Sequence, residues 1–294
     1  MQKMMKRDIT LNDNGSRLGK IIIYIFILIV AFICVMPVIW VLWFSLKTNA
    51  EIYTNPFGVP AGLTLENHIY AWKAGRFGPA ILNTIVVGIT ATLLSVLIGS
   101  MASFAISRMK WKHANIVMNY FMIGLVIPVQ CILLPLYLQN IMPGFSNSLW
   151  GLILTYLAFS LPITILIMTG CFNSIPDEVI YLACIDGCSV YRIYSGIFLP
   201  ISKNGLLASA MIVFALCWND LPVSIALISD ENNYTLQVAL SRFVRPYNTN
   251  YTLMIAAAAI AIIPSIVVYA VFSKEITDSL EYLTDDGQIK RICK

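Results

Sequence analysis

Charge is what this sequence has least of. Aspartate, glutamate, lysine and arginine make up 12% of its 294 residues, about half the roughly 25% of an ordinary soluble domain. Histidine is scarcer still. His68 and His113 are the only two, and they fall on opposite sides of the membrane in the topology derived below. They cannot share a metal centre or a Ser-His-Asp site, so each reads as a loop residue. No G-x-x-x-x-G-K-[ST] stretch occurs, so ATP finds no phosphate loop here. No enzyme is legible. Cysteine is present at Cys34, Cys131, Cys171, Cys184, Cys188, Cys217 and Cys293, none in a predicted external loop where an oxidising compartment could pair it. Cys184 and Cys188 are four apart, on one helical face, but lack further ligands for zinc. Small apolar fillers is the simpler reading.

What the chain has in abundance is apolar length. Residues 21–46, 79–106, 115–138, 149–171, 205–228 and 252–272 are each long enough to cross a bilayer, for which about 20 residues suffice. The fold class is therefore an all-α polytopic membrane protein with six transmembrane helices. The 21–46 run is too long for a signal sequence core and no small-residue cleavage site follows it, so it reads as a retained first span.

Lysine and arginine set the orientation. Lys3, Lys6, Arg7, Arg17, Lys20, Arg108, Lys110, Lys112, Arg192, Lys203, Lys274, Lys290, Arg291 and Lys294 lie on one predicted side. Lys47, Lys73, Arg76, Arg242 and Arg245 lie on the other. The richer side is expected to be cytoplasmic, with both termini. Topology thus accounts for the net charge of +4 without nucleic acid. The layout is a cytoplasmic tail (1–20), a first helix (21–46), an external loop (47–78), a membrane core (79–273) and a second cytoplasmic tail (274–294). Further external loops are 139–148 and 229–251; in the latter, Leu236, Ala239, Leu240 and Phe243 recur at helical spacing. No internal repeat or second soluble domain is visible.

One polar stretch interrupts the core on the cytoplasmic side: "DEVIYLACIDGCSVYRIYSGIFLP", residues 177–200. Ser174-Ile-Pro-Asp177 predicts a helix start with Ser174 as cap. A helix to Asp186 would end at Gly187, and Ser189 would cap a second helix that Pro200 terminates or kinks. The hairpin nonetheless carries Val179, Leu182, Ile185, Val190, Ile193, Ile197 and Phe198. Such a surface must be covered, by the membrane surface or by a groove on a partner, and periodicity does not separate the two.

The loop at 174–204 that holds this hairpin resembles the EAA coupling loop of binding-protein-dependent ABC importer permeases. Gly187, Ile197, Leu199 and Pro200 match its spacing. "IPDE", "LPISKN", "WND" at 218–220, "LPLYLQN" and "NSLWGLIL" resemble its carbohydrate branch, and the first span and loops resemble the maltose G-subunit (MalG-like) type. The likeness covers most of residues 79–273. Two departures stand out. Tyr181-Leu182-Ala183 replaces Glu-Ala-Ala, and a lost charge-assisted hydrogen bond costs about 1.5–3 kcal/mol; Glu178, one turn earlier on nearly the same face, could compensate. The C-terminal segment is more acidic than the family's usual ending.

The resemblance implies a type I ABC importer permease fold in a bacterial inner membrane. It also implies a second permease subunit, two cytosolic ATPase subunits holding ATP and Mg, an external solute-binding protein and surrounding lipid. No cofactor belongs to this chain itself. Glu178, Tyr181, Ala183, Asp186, Gly187, Ile193 and Pro200 are the expected coupling residues, with packing inside the hairpin the alternative for Ala183 and Ile193.

The path should hold the polar residues that a bilayer penalises. Asp220 leads, because a charge near the membrane centre costs about 2.5–3.5 kcal/mol; Trp218 and Asn219 accompany it. Asn83, Asn119, Gln130 and Tyr137 are further candidates, and for all of these a hydrogen bond between helices is the plainer alternative. Pro128, Pro162, Pro222 and Pro264 are expected to kink or interrupt helices, while Gly99, Ser100 and Ser103 suit close packing. The solute implied is a sugar or oligosaccharide. The alternatives are a non-sugar solute, or a membrane interaction protein on the same scaffold that transports nothing. A secondary transporter would show inverted repeats or several ionisable groups in its spans, and neither is seen.

Overall fold

The computed structural model describes residues 17–55, 58–60, 62–139, 147–244 and 250–289. Expectations for the N-terminal tail before residue 17, for most of the 139–148 loop, for Arg245 and for Cys293 therefore lie outside the described residues. Every regular element described is helical.

Four helices cross unbroken: α1 (Arg17–Phe44), α4 (Phe77–Arg108), α7 (Leu149–Asn173) and α14 (Tyr251–Ile289). They coincide with four of the six expected spans. Between α1 and α4, the external loop folds into α2 (Asn49–Thr54) and α3 (Glu66–Ala74). A Thr48–Glu51 capping box starts α2.

The third span is not one helix. α5 (Ala114–Val126) and α6 (Val129–Gln139) meet at 92°. Proline at 128 forces Ile127 out of the helical region, to φ −74° and ψ 115°, as the residue before a proline generally is. The fifth span is also broken. α11 (Lys203–Asn219) has 17 residues, about 26 Å at 1.5 Å each, short of a hydrocarbon core of about 30 Å. Asp220 then turns extended, and Pro222 opens a short α12 (Pro222–Leu227). Pro162 and Pro264 do not interrupt their helices, since α7 and α14 run on through them.

α4 and α7 form the most extensive helix pair. Small residues of α4 face α7 along the seam, with Ala91, Gly99 and Ser103 all buried. Close backbone approach takes the place of bulky packing where lipid offers no hydrophobic drive. A Cβ on Gly99 would lie 2.6 Å from Thr164 Cγ2. Ser103 Oγ donates within α4 to Gly99 O (2.7 Å) and across this seam to Ile165 O (3.2 Å). α11 packs on both helices, and α14 closes against α11 and α3. α1 touches α14, yet of its apolar stretch Ile21–Phe44 none of the most hydrophobic window is buried.

Candidate functional site

The hairpin is built of α8 (Asp177–Ile185), a glycine turn, α9 (Val190–Ile193), a π-helical segment at Tyr194–Phe198 and α10 (Leu199–Ile201). Its start differs from the sequence expectation. Ser174 closes α7, donating from Oγ to Cys171 O at 2.7 Å, and Pro176 takes the cap position before α8 with extended backbone. The fixed φ of proline suits that place, and Ser174 lies too far back to reach the α8 amides.

Its turn follows expectation. Gly187 has φ +71°, Gly187 N–H bonds to Cys184 O and Cys188 N–H bonds to Ala183 O, each at 3.0 Å. That pair of bonds is a Schellman ending, which requires a left-handed residue. Cys188 therefore lies past the end of α8, and the two cysteines do not share a helical face. Ser189 caps α9 by accepting from Arg192 N–H at 3.4 Å. The second arm is not a single α-helix. Pro200 lies inside α10, and the 77° bend into α11 falls at Ser202.

The hairpin divides into an inner and an outer face. Ala183 and Ile193 turn inward to a cluster with Phe104, Met168, Phe172, Ile175 and Phe198. The rings of Phe104, Phe172 and Phe198 meet edge to face at 5.1–6.1 Å, a geometry aromatic quadrupoles favour. Tyr194 adds a hydroxyl contact to Ser100 at 2.8 Å. Glu178, Tyr181, Asp186, Gly187 and Pro200 lie on the outside. With them are Leu182, Ile185 and Tyr191, which are 63%, 80% and 79% exposed.

Three polar residues missed at the sequence level anchor this hairpin to α4. Arg108 Nη1 donates to Asp177 Oδ1 at 2.6 Å. Lys110 Nζ reaches Asp177 Oδ2 at 3.5 Å and the Tyr181 hydroxyl at 3.2 Å. The Tyr181 hydroxyl, and after it the Asp177 carboxylate, hold the Lys110 ammonium above its ordinary value. The sequence marks Arg108 and Lys110 only as topology charges, and Asp177 only as part of a capping pattern.

The expected path residues separate into groups. Asp220 sits at the break between α11 and α12. Its Oδ2 accepts from Tyr156 Oη (2.8 Å), Ser224 N (2.9 Å) and Ser224 Oγ (3.1 Å). Those bonds join α7 to α12 and satisfy the first amides of α12. Nothing in the sequence marks Tyr156, 64 residues upstream. Trp218 is buried and donates to Ser265 Oγ at 3.0 Å, while Asn219 is exposed beside it. Between α11 and α14 they line a cavity of about 260 Å³ with Phe214, Ser265 and Tyr269. Asn83 is elsewhere, donating to the carbonyls of Asn232 (2.8 Å) and Tyr234 (3.1 Å) and so tying the outer loop to α4. Asn119, Gln130 and Tyr137 are exposed on α5 and α6 and are not brought to the cavity.

At the end opposite the hairpin, residues 229–244 fold into the short α13 (Leu236–Ser241), which buries Leu236, Val238 and Ala239. Leu240 and Phe243 pack beside the same cluster, as their spacing predicted. A cavity of about 350 Å³ opens there, bordered by Tyr70, Arg76, Glu231, Tyr234 and Arg242.

Comparison with known proteins converges on one family. Residues 95–275 match the model described as binding-protein-dependent transport system inner membrane component. The chain is 31% identical over 250 residues to the diacetylchitobiose uptake system permease protein NgcG of Streptomyces coelicolor, covering 84% of this chain and 83% of that one. It is 28% identical to the trehalose transport system permease protein SugB of Mycobacterium tuberculosis, covering 83% and 90%. It is also 28% identical to the arabinooligosaccharides transport system permease protein AraQ of Halalkalibacterium halodurans, covering 83% and 88%. In fold it is similar to a chain in the crystal structure of a bacterial ABC transporter involved in the import of the acidic polysaccharide alginate. The TM-score is 0.75 at 20% identity, over 89% of this chain and 97% of that one.

Proposed function

The chain belongs to the family of binding-protein-dependent ABC importer permeases, in its carbohydrate branch, and on that basis we propose that it forms one half of the path for a sugar or oligosaccharide. It is a multi-pass transport subunit, not an enzyme, and ATP is hydrolysed on a partner chain. The proposal names the remainder of the assembly: a second, non-identical permease, two ATPase subunits carrying ATP and Mg, and a solute-binding protein outside. The hairpin end and both termini face the cytosol.

The observation that carries the reading is the outer face of the hairpin. Leu182, Ile185 and Tyr191 are exposed at an end of the bundle that the lysine and arginine distribution assigns to water. Burying such surface yields roughly 25 cal/mol per Å², and a groove on an ATPase would cover it. Glu178, Tyr181, Asp186, Gly187 and Pro200 border that face, while Ala183 and Ile193 hold its shape from within. Tyr181 stands where the resemblance expects glutamate, so docking here leans on apolar contact more than on charge.

The Trp218–Asn219 cavity suits a neutral saccharide, with an indole, a phenol and an amide around it. The sugar relatives support that solute class: their names specify diacetylchitobiose, trehalose and arabinooligosaccharides. Asp220, fully engaged with Tyr156 and Ser224, contributes by holding the break in shape. The outer loop 229–251 is the surface offered to the binding protein.

The test is affinity purification of the tagged chain from mild detergent, with ATPase activity measured before and after Gly187→Pro. Proline cannot adopt φ +71°, so the turn must open. Co-purification of an ATPase with the native chain, and its release by the substitution, is the expected result. If no ATPase accompanies the native chain, the importer reading falls.

A further inference from the structure

We infer that Arg108 and Asp177 form a latch through which movement of the hairpin is carried directly to α4, a helix the chain does not connect to it. The inference deepens the coupling role proposed above and rests on it. The backbone joins the hairpin only to α7 and α11. Displacement of the hairpin would therefore reach those two helices first, and α4 through the Phe104 packing and the Tyr194–Ser100 hydrogen bond near the middle of the returning arm.

The geometry supplies a shorter route. Arg108 ends α4, and its side chain is only 8% exposed. A basic residue serving topology alone would extend towards water or lipid headgroups; this one turns into the protein. Nη1 binds Asp177, the first residue of α8, 69 positions away in sequence. Nη2 donates to the carbonyls of Phe172 and Ile175, around the end of α7. The guanidinium carbon lies 5.5 Å from the ring centre of Phe198, on the returning arm of the hairpin. One planar group thus touches the end of α7, the start of α8 and the π segment while belonging to α4. Arginine suits that task because its donors are fixed in a fork.

Lys110 reinforces the latch. Its φ of +45° is a conformation that non-glycine residues adopt at a cost. From that position its ammonium reaches both Asp177 and Tyr181, one helical turn apart on α8. The side of α8 where the resemblance expects an acid is therefore engaged within this chain.

The experiment uses the whole complex, purified with its ATPase in nanodiscs. Amide hydrogen exchange is compared without nucleotide and with ATP plus vanadate. In the native complex, residues 177–186 and the end of α4, residues 99–108, are expected to respond together. In Asp177→Asn the hairpin response should persist, the α4 response should be lost, and ATP hydrolysis should continue. Asp177→Glu should restore the α4 response, which a merely structural defect would not predict. If Asp177→Asn fails to assemble, Arg108→Lys keeps the charge, loses the fork and is read in the same way. An α4 response unchanged in the variants overturns the latch and leaves the coupling role intact. A hairpin that does not respond in the native complex overturns both.

Discussion

Asp220 shows how a single residue answers the cost of its position. A carboxylate in a span is expensive, and this one offsets the cost by accepting from the Ser224 amide in the first turn of α12 and from Tyr156. Tyr156→Phe removes one hydrogen bond to a charged group, worth about 1.5–3 kcal/mol. The thermal midpoint of the detergent-purified chain should fall, and Ser224→Ala should add less once Tyr156 is gone, because the two hydroxyls are 2.7 Å apart. The need for a partner was legible from the composition around residue 220. Which partner was not, because local spacing carries no record of a contact 64 residues away. His68 poses a similar question outside the membrane. Its Nε2 lies 3.1 Å from Ser45 Oγ, and burial holds the imidazole below its ordinary value of 6.5. The folded loop therefore prefers the neutral ring. Stability is complete above pH 6.5 and is lost as pH falls below it, since the unfolded loop takes up the proton first. Hydrogen exchange at the Thr64 and Ile69 amides, corrected for intrinsic rate, should rise over that fall. His68→Gln should abolish the dependence.

Among the elements, helices were legible where the pattern was long and hidden where it was short. Four long apolar runs became four unbroken helices, because hydropathy over 20 or more residues leaves little choice in a bilayer. Proline did not have one meaning. Pro128 and Pro222 stand at breaks, whereas Pro162 and Pro264 are absorbed. In lipid, neighbouring helices can satisfy the carbonyls that a proline frees, so the outcome depends on packing that sequence does not display. The glycine turn at 187 was legible because φ > 0 admits few residues, while the π segment gave no sign. The α4–α7 seam yields a sharp expectation. Gly99→Ala forces a methyl against Thr164 Cγ2 and should destabilise by about 1–3 kcal/mol. Thr164→Ser, which removes that methyl and keeps the hydroxyl bonded to Ser160 O at 2.9 Å, should recover part of the loss in thermal unfolding.

For the whole molecule, four unbroken apolar helices and two bent pairs leave room for the six crossings expected from composition, while the sidedness is an expectation from where lysine and arginine fall. Sidedness is open to direct measurement. Cys184 is exposed on the hairpin, so a membrane-impermeant maleimide should label it in inside-out vesicles and not in intact cells. Labelling should fall once the ATPase is bound. If Cys184 reacts in intact cells, the orientation is reversed. The unburied α1 bears on how such a subunit is made. Lipid tails solvate a leucine-like surface as well as protein does, so the lone chain can enter the membrane and wait there without penalty. The outer face of the hairpin has no such shelter on the proposed orientation, because Ile185 and Tyr191 stand exposed in the loop proposed to face the cytosol. Synthesis without the ATPase should therefore leave a subunit that is correctly inserted yet adhesive on one side, and the order in which the genes are expressed would decide whether it assembles or aggregates.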